Sequence, residues 1–401
     1  MASAILHIKD SYYFEVPKFL WRSERPARED FEEFWVKLDP EYQLWEAEQV
    51  YAKLVEKEAQ MPAWSELKSD YEHWKHADHH HANTPFASYL ESQDWFNEQL
   101  GKDSCNWREE WPTIRETAAS FAEYNQEWAP QKIEGYNRAL DGKVLVPQVF
   151  GGKLKNLYEK ESGFALSKFM VIELVVALIL VVVFCGWLAP RMASGGRPMG
   201  RLWNLLEAVL LFLRDQVVRP AIGHGADKFV PLLWTVFLFV LGCNLFGMLP
   251  WAGAPTGAFA VTLAMAGVTL LTGWIFGILK FGPQGVVFGQ LIPQMGLPIY
   301  MAVLLIPMIY VIEVAGMLIK HGVLGVRLLA NMVAGHVVLL GIMNLAFSLE
   351  GALSPSWGLT AVIAVVCSTL FSCLELFVAF LQAYIFTFLS ALFIGAATHK
   401  H

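Results

Sequence analysis

The chain has 401 residues, 55% of them hydrophobic, with a positive mean hydropathy and a formal net charge of −7. The charge is divided unevenly: residues 1–160 hold 29 Asp and Glu against 19 Lys and Arg, whereas residues 161–401 hold 8 against 11. This excludes a single soluble globule and splits the chain into a polar, acidic, extramembrane region over 1–160 and a membrane domain over 161–401. The five cysteines, Cys105 alone in the polar part and the rest in apolar runs, argue against a disulfide framework. The opening MASAILHIKDSYYFEV lacks a basic stretch followed by an apolar run, so no signal or transit peptide is expected.

Residues 1–160 read as mostly helical. The segment EEFWVKLDPEYQLWEAEQVYAKLVEKEAQ is amphipathic and interrupted at Pro40. Nine of the 15 tryptophans fall in this region, too many aromatics for a disordered tail. The plain expectation is a small helical domain. A membrane-surface or partner-docking role is the alternative, because Trp favours such boundaries. His73, His76, His79, His80 and His81 form a histidine-rich patch that could hold a metal at helical spacing. An exposed polar turn is the simpler reading, so no metal and no cofactor are expected. No nucleotide-binding loop or catalytic motif is present, and nucleic acid is not an expected partner.

The first span is placed at Phe164–Leu188, long enough to cross a bilayer core of about 30 Å. Lys168 and Glu173 lie in its first turns and are expected to reach the interface by snorkelling. A loop with Arg191, Arg197, Arg201, Arg214, Arg219 and Lys228 follows, cytoplasmic by the positive-inside rule. Within it, Leu202–Val218 reads as an amphipathic surface helix. Further spans are placed at Phe229–Leu249 and Ala258–Leu279, with a Gly/Pro-rich loop over Phe281–Pro298. Two overlong apolar runs, Ile299–Phe347 and Gly358–Ala397, come next, with a polar turn at Leu349–Trp357 between them. As one straight helix the first would measure about 70 Å at 1.5 Å per residue, so it must tilt strongly or bend near Pro307 and Gly322. The expected fold is thus an all-α membrane protein of about five transmembrane helices plus an amphipathic surface helix, the last two helices overlong and tilted, behind a mostly helical polar region.

The first overlong run carries Glu313, Lys320, His321, Arg327, Asn331 and His336. At about 100° per residue, Glu313, Lys320 and Arg327 share one face, Asn331 lies one turn beyond Arg327, and His336 points roughly the opposite way. Arginine cannot shed its proton. At a bilayer centre it costs about 2.5–3.5 kcal/mol on insertion scales, so it must face a partner, a water-filled cavity or a moving ion. The second run carries Glu375 and Gln382, seven apart and on one face. The competing account is that these polar groups only bind helices together.

At these residues the sequence resembles subunit a of the F-type ATP synthase, bacterial type with an enlarged N-terminal region. The likeness runs from about Phe164 to Gly395. GVRLLANMVAGH (Gly325–His336) resembles the family's arginine signature. LELFVAFLQAYIFTFLS (Leu374–Ser390) resembles its last helix, with Gln382 at the family's glutamine. PLLWTVFLFVLGCNLFGMLP (Pro231–Pro250), with Asn244, is similar to an earlier span, and IEVAGMLIK sets Glu313 fourteen residues before the arginine.

The resemblance implies a stator subunit of the rotary proton channel, with two aqueous half-channels, coupling proton translocation to ATP synthesis. No catalytic chemistry lies in the chain itself. Arg327 would face the carboxylates of the c-ring, and Gln382 would orient its guanidinium. His336 and Glu375 would relay protons, in an order that resembles the mitochondrial arrangement. Asn331 and Glu313 would be polar lining of the path, and Asn244 structural lining. The implied partners are the c-ring, the peripheral-stalk b subunits, the lipid bilayer and H⁺, with Na⁺ left open. The implied site is the bacterial plasma membrane, multi-pass, with the N-terminal region periplasmic. The resemblance assigns residues 1–160 no role. The rival class is a secondary transporter or channel that binds an anion at a buried arginine, but such folds show internal repeats and none is found here.

Overall fold

The computed structural model describes residues 10–17, 25–77, 81, 83–102, 105, 107–154, 157–188, 200–223, 225–249, 252–289, 299–348 and 357–398. The turn expected at Leu349–Trp357 therefore lies almost wholly outside the described residues, as do Arg191, Arg197, His79 and His80. The chain forms two compact units, Ser11–Leu166 and Ser167–His401, the latter joined by Asp10.

The first unit is a cluster of short helices: α1 (Glu33–Lys37), α2 (Pro40–Glu56), α3 (Trp64–Ala77), α4 (Phe86–Glu91), α5 (Asp94–Gly101), α6 (Trp111–Thr117) and α7 (Pro130–Leu140). Pro40 starts α2 rather than interrupting a helix, because its missing N–H is not needed in the first turn. Asp39 caps that end by accepting from the Glu41 N–H at 2.9 Å. Two antiparallel pairs add the only strands among the described residues: β1 (Tyr13–Glu15) on β2 (Lys143–Leu145), and β3 (Lys153–Leu154) on β4 (Lys160–Ser162).

Helices this short are marginal alone, so packing must hold them. Tyr71, Phe86, Leu90, Phe96, Trp107 and Trp111 form one core, and Phe31, Trp35, Tyr42, Tyr124 and Trp128 another. Each large apolar side chain that is fully buried contributes about 1.5–3 kcal/mol. Four of the region's nine tryptophans, Trp35, Trp107, Trp111 and Trp128, are buried in these cores. Trp45, Trp64, Trp74 and Trp95 are half-buried at the edges of these cores.

Among the described residues the second unit is almost entirely helical, with a kink at Gly282 inside its fifth helix. Its elements are α8 (Lys168–Val181, running on as a π-helical turn to Leu188), α9 (Arg201–Phe212), α10 (Arg219–Ile222), α11 (Val230–Gly247), α12 (Phe259–Gly289), α13 (Ile299–Ser348) and α14 (Trp357–Thr398). Among the described residues five helices are long and apolar enough to cross a membrane, at Lys168–Gly186, Val230–Gly247, Phe259–Gly282, Leu305–Ile342 and Val362–Ala397. Exposed side chains such as Leu174, Leu178, Val365 and Phe377 suit hydrocarbon, since lipid tails are as apolar as they are.

α13 and α14, at 50 and 42 residues, remain single helices. Pro307 is accommodated inside α13, and neither it nor Gly322 breaks the helix. At 1.5 Å per residue α13 is about 75 Å long and cannot stand upright in a hydrocarbon layer of about 30 Å. The segment expected as a surface helix forms α9, a π-helical stretch Leu213–Val218 and then α10. One side of it packs inward: Leu213, Val217, Val218 and Ile222 join Leu233, Val240, Leu328, Ala383 and Phe386 in one core. The Trp234 indole on α11 also donates to the Leu210 carbonyl at 3.0 Å. The other side leaves Leu205, Leu211 and Phe212 exposed.

Candidate functional site

Two polar couples join α13 to α14. Asn331 Nδ2 donates to Gln382 Oε1 at 2.8 Å. His336 Nδ1 lies 3.3 Å from Glu375 Oε1. The two helices run antiparallel, so progress from Asn331 to His336 on one matches progress from Gln382 back to Glu375 on the other. Glu375 and Gln382 are both buried, on one face as their spacing requires. The His336–Glu375 contact is within ion-pair distance, yet Glu375 Oε1 has no aligned hydrogen bond among the described residues. The two groups can form an ion pair when His336 carries a proton.

Small residues make this closeness possible. A Cβ on Gly335 would sit 2.8 Å from Glu375 Oε1. A Cβ on Gly325 would sit 2.9 Å from the Thr262 carbonyl of α12. A Cβ on Gly247 would meet Met332 Cε and Ala254 Cβ, each at 2.8 Å. The α13 face around Met332 is thus held tightly against α11, α12 and α14, as small residues allow in membrane helix packing.

Asn244 forms the next layer. Fully buried on α11, it accepts from Thr256 Oγ1 at 2.8 Å and donates Nδ2 to the Ala379 carbonyl of α14 at 3.2 Å. Ala379 is one helical turn from Glu375, so Asn244 ties α11 to the stretch of α14 that carries the carboxylate. The sequence singled out Asn244 but not Thr256, because a threonine in an apolar loop gives no signal until its partner is known.

Arg327 is half-buried and makes no hydrogen bond or ion pair among the described residues. It stands one turn from Asn331 on α13. Among the described residues no hydrogen bond joins Gln382 to its guanidinium; Gln382 Oε1 accepts from Asn331, and Gln382 Nε2 is buried without a partner. An Nε2 donor could not serve a guanidinium in any case, since both only donate. Glu313 and Lys320 are exposed, away from both couples. His321 is buried beside them; its Nδ1 lies 2.9 Å from the Met317 carbonyl and its ring 4.5 Å from that of Phe393. In the first unit, His81 stacks on Trp74 at 3.8 Å, and no group of three metal-ligating side chains converges among the described residues.

These features define a class: a multi-pass, all-helical membrane protein whose last two helices enclose a stripe of polar and ionisable groups. The family model for the ATP synthase A chain matches residues 170–395, and the chain belongs to that family. It is 36% identical over 262 residues to ATP synthase subunit a 2 of Chlorobaculum tepidum, covering 65% of this chain and 71% of that protein. It is 33% identical over 275 residues to ATP synthase subunit a of Chloroherpeton thalassium, covering 67% and 77%. It is 34% identical over 288 residues to ATP synthase subunit a 2 of Prosthecochloris aestuarii, covering 71% and 84%.

Proposed function

We propose that the chain is the stator subunit of an ATP synthase ion channel, with Arg327 as its fixed cation toward the c-ring and His336 and Glu375 as its proton relay. The observation that carries this is the unpartnered state of Arg327 among the described residues, one turn from the Asn331–Gln382 bond and on the helix that also holds the His336–Glu375 couple. A permanent cation in a membrane span needs a counter-charge, and a carboxylate brought past by a rotating ring supplies one transiently. A guanidinium within about 4–6 Å favours the ionised carboxylate, and so favours proton release as each ring site arrives. Because it never deprotonates, it also bars a direct leak between two half-channels; a lysine could lose its charge when buried.

An imidazole can both take and give a proton, which suits His336 to pass protons to and from Glu375. Asn331 fixes Gln382, and Asn244 fixes the backbone beside Glu375. Glu313 and Asn331 border the aqueous paths, Glu313 toward the catalytic head. The driving force is the membrane field, about 2.3 kcal/mol per charge per 100 mV. Residues 1–160 form an extramembrane region on the periplasmic side of a bacterial plasma membrane, with b subunits of the peripheral stalk as further partners.

The test is ATP-driven acidification of inverted membrane vesicles that carry the assembled complex. Arg327→Ala should abolish pumping with assembly intact and raise passive leak. Undiminished pumping would overturn the assignment.

A further inference from the structure

Glu173 is a carboxylate in the first span that the relay above does not use. Its position near the start of α8 predicts that it and Lys168 reach water, and the structure turns both inward. Lys168 is buried, its Nζ packed where a Cβ on Gly253 would come within 3.0 Å. Glu173 Oε1 is buried too and has no hydrogen-bond partner among the described residues.

The surroundings follow from two close approaches. Lys168 lies against Gly253, and Val176 lies against Gly242, where a Cβ would come within 2.7 Å of its Cγ1. α8 and α11 are therefore antiparallel, and Glu173 falls between these two points, level with the stretch of α11 that holds Cys243 and Asn244. Among the described residues, the titratable and charged groups around it are few. They are Lys168 on its own helix, the buried Cys243 thiol on α11, and Asp10, whose Oδ1 accepts from the Phe169 N–H at 3.3 Å. Inward of it come Thr256, Asn244 and the Ala379 carbonyl, hydrogen-bonded in series, with Glu375 one turn along α14.

A carboxylate in a membrane span without a bonded partner is costly, and a chain keeps one chiefly where it handles an ion. We propose that Glu173, half-buried with its Oε1 turned inward, is a further proton-carrying group of this channel, on the side where α8 begins. It takes a proton from water at that end and becomes a carboxylic acid. It then gives the same proton inward, past the Thr256 hydroxyl and the Asn244 amide, to the His336–Glu375 couple, and returns to its ionised form. The proposal rests on the channel reading above, and one set of vesicles separates the two.

The experiment compares wild type, Glu173→Gln, Glu173→Asp and Arg327→Ala in the complete complex, measuring ATP-driven pumping, and passive proton conduction after removal of the catalytic head, as functions of external pH. Glu173→Gln keeps the shape and the hydrogen-bonding capacity, so a packing role predicts wild-type behaviour. The proposal predicts a severalfold loss of conduction with a flattened pH profile, and for Glu173→Asp retained conduction with a displaced midpoint. A wild-type rate and profile in Glu173→Gln, with Arg327→Ala inactive, overturns the role of Glu173 alone. Pumping that survives Arg327→Ala overturns the channel reading itself. If the Gln variant does not assemble, the Asp variant decides: an undisplaced midpoint overturns the proposal.

Discussion

Asn331 Nδ2 donates to Gln382 Oε1 at 2.8 Å, while Gln382 Nε2 is buried and unpartnered among the described residues. Gln382 is thereby tied to Asn331, which stands one turn from Arg327 on α13. Side-chain hydrogen bonds between membrane helices are worth about 0.6 kcal/mol on average and about 1.7 at most, too little for one loss to separate α13 from α14. Gln382→Leu and Asn331→Ala should each leave the complex assembled and cut ATP-driven pumping severalfold. If the bond is what matters, the double variant should pump no worse than the poorer single, since both remove one interaction. Additive losses in that cycle would show that the two side chains act separately.

Asn244 is satisfied from two sides, and Thr256 supplies one of them. Thr256→Val keeps the shape and removes the donor, leaving Asn244 Oδ1 buried with no hydrogen bond from Thr256. Such an orphaned acceptor costs about 1–3 kcal/mol. Thr256→Val should lower the thermal midpoint of the detergent-solubilised complex, while Thr256→Ser should restore most of it. Equal midpoints for Val and Thr would remove this bond from the account of how α11 is held to α14.

The first unit should fail at alkaline pH. Burial pushes the phenols of Tyr13, Tyr42, Tyr71 and Tyr136 well above their ordinary range. Burial also works against the charged form of Lys132, but its hydrogen bonds to Asp39 and Glu41 outweigh that and raise its value. All these groups have folded values above their unfolded ones, so all favour the proton-bound form. Their contribution is complete below the unfolded values of about 10 and is lost as pH rises through the folded ones. Tyrosinate absorbance followed upward from about pH 10 should therefore show a cooperative step, coincident with a change in tryptophan fluorescence as the cores of Trp35, Trp107, Trp111 and Trp128 open. A gradual titration with unchanged fluorescence would contradict this.

Much of the membrane unit was legible in the sequence because a bilayer leaves few options: apolar runs of span length must be helices. Five such runs were expected, and five helices are found. Glu375, Gln382, Asn331 and His336 stood out as polar groups in apolar runs, and they meet in the structure. Pairing was what the sequence could not carry. Angular position on one helix set His336 opposite Arg327 but said nothing of which residue of α14 each side chain meets. Periodicity likewise placed Lys168 and Glu173 near a helix end, where snorkelling is the default. Only the packing of α8 on α11 and the loop after it, at Gly242 and Gly253, shows them turned inward. In the first unit the tryptophans signalled order, but composition does not distinguish a ring that faces a partner from one that faces its own core.

Gly335 offers the sharpest test of how closely Glu375 is held. It adjoins His336, and a Cβ there would stand 2.8 Å from Glu375 Oε1 and 3.3 Å from its Cδ. Elsewhere in a helix interior, Gly to Ala is stabilising by about 1 kcal/mol, because alanine restricts the unfolded chain and loses nothing in the folded one. At Gly335 the methyl must displace the carboxylate, which can swing away about its own torsions without moving α14. Gly335→Ala should therefore assemble normally and still lose most of its pumping, with an altered pH profile as the His336–Glu375 distance grows. Gly341 is the matched control: it lies on the same helix and a Cβ there meets nothing within 4 Å. Gly341→Ala should pump as wild type and melt no lower. If both variants pumped normally, the close His336–Glu375 approach would not be needed for proton passage. If both failed, the defect would belong to α13 as a whole and not to the carboxylate.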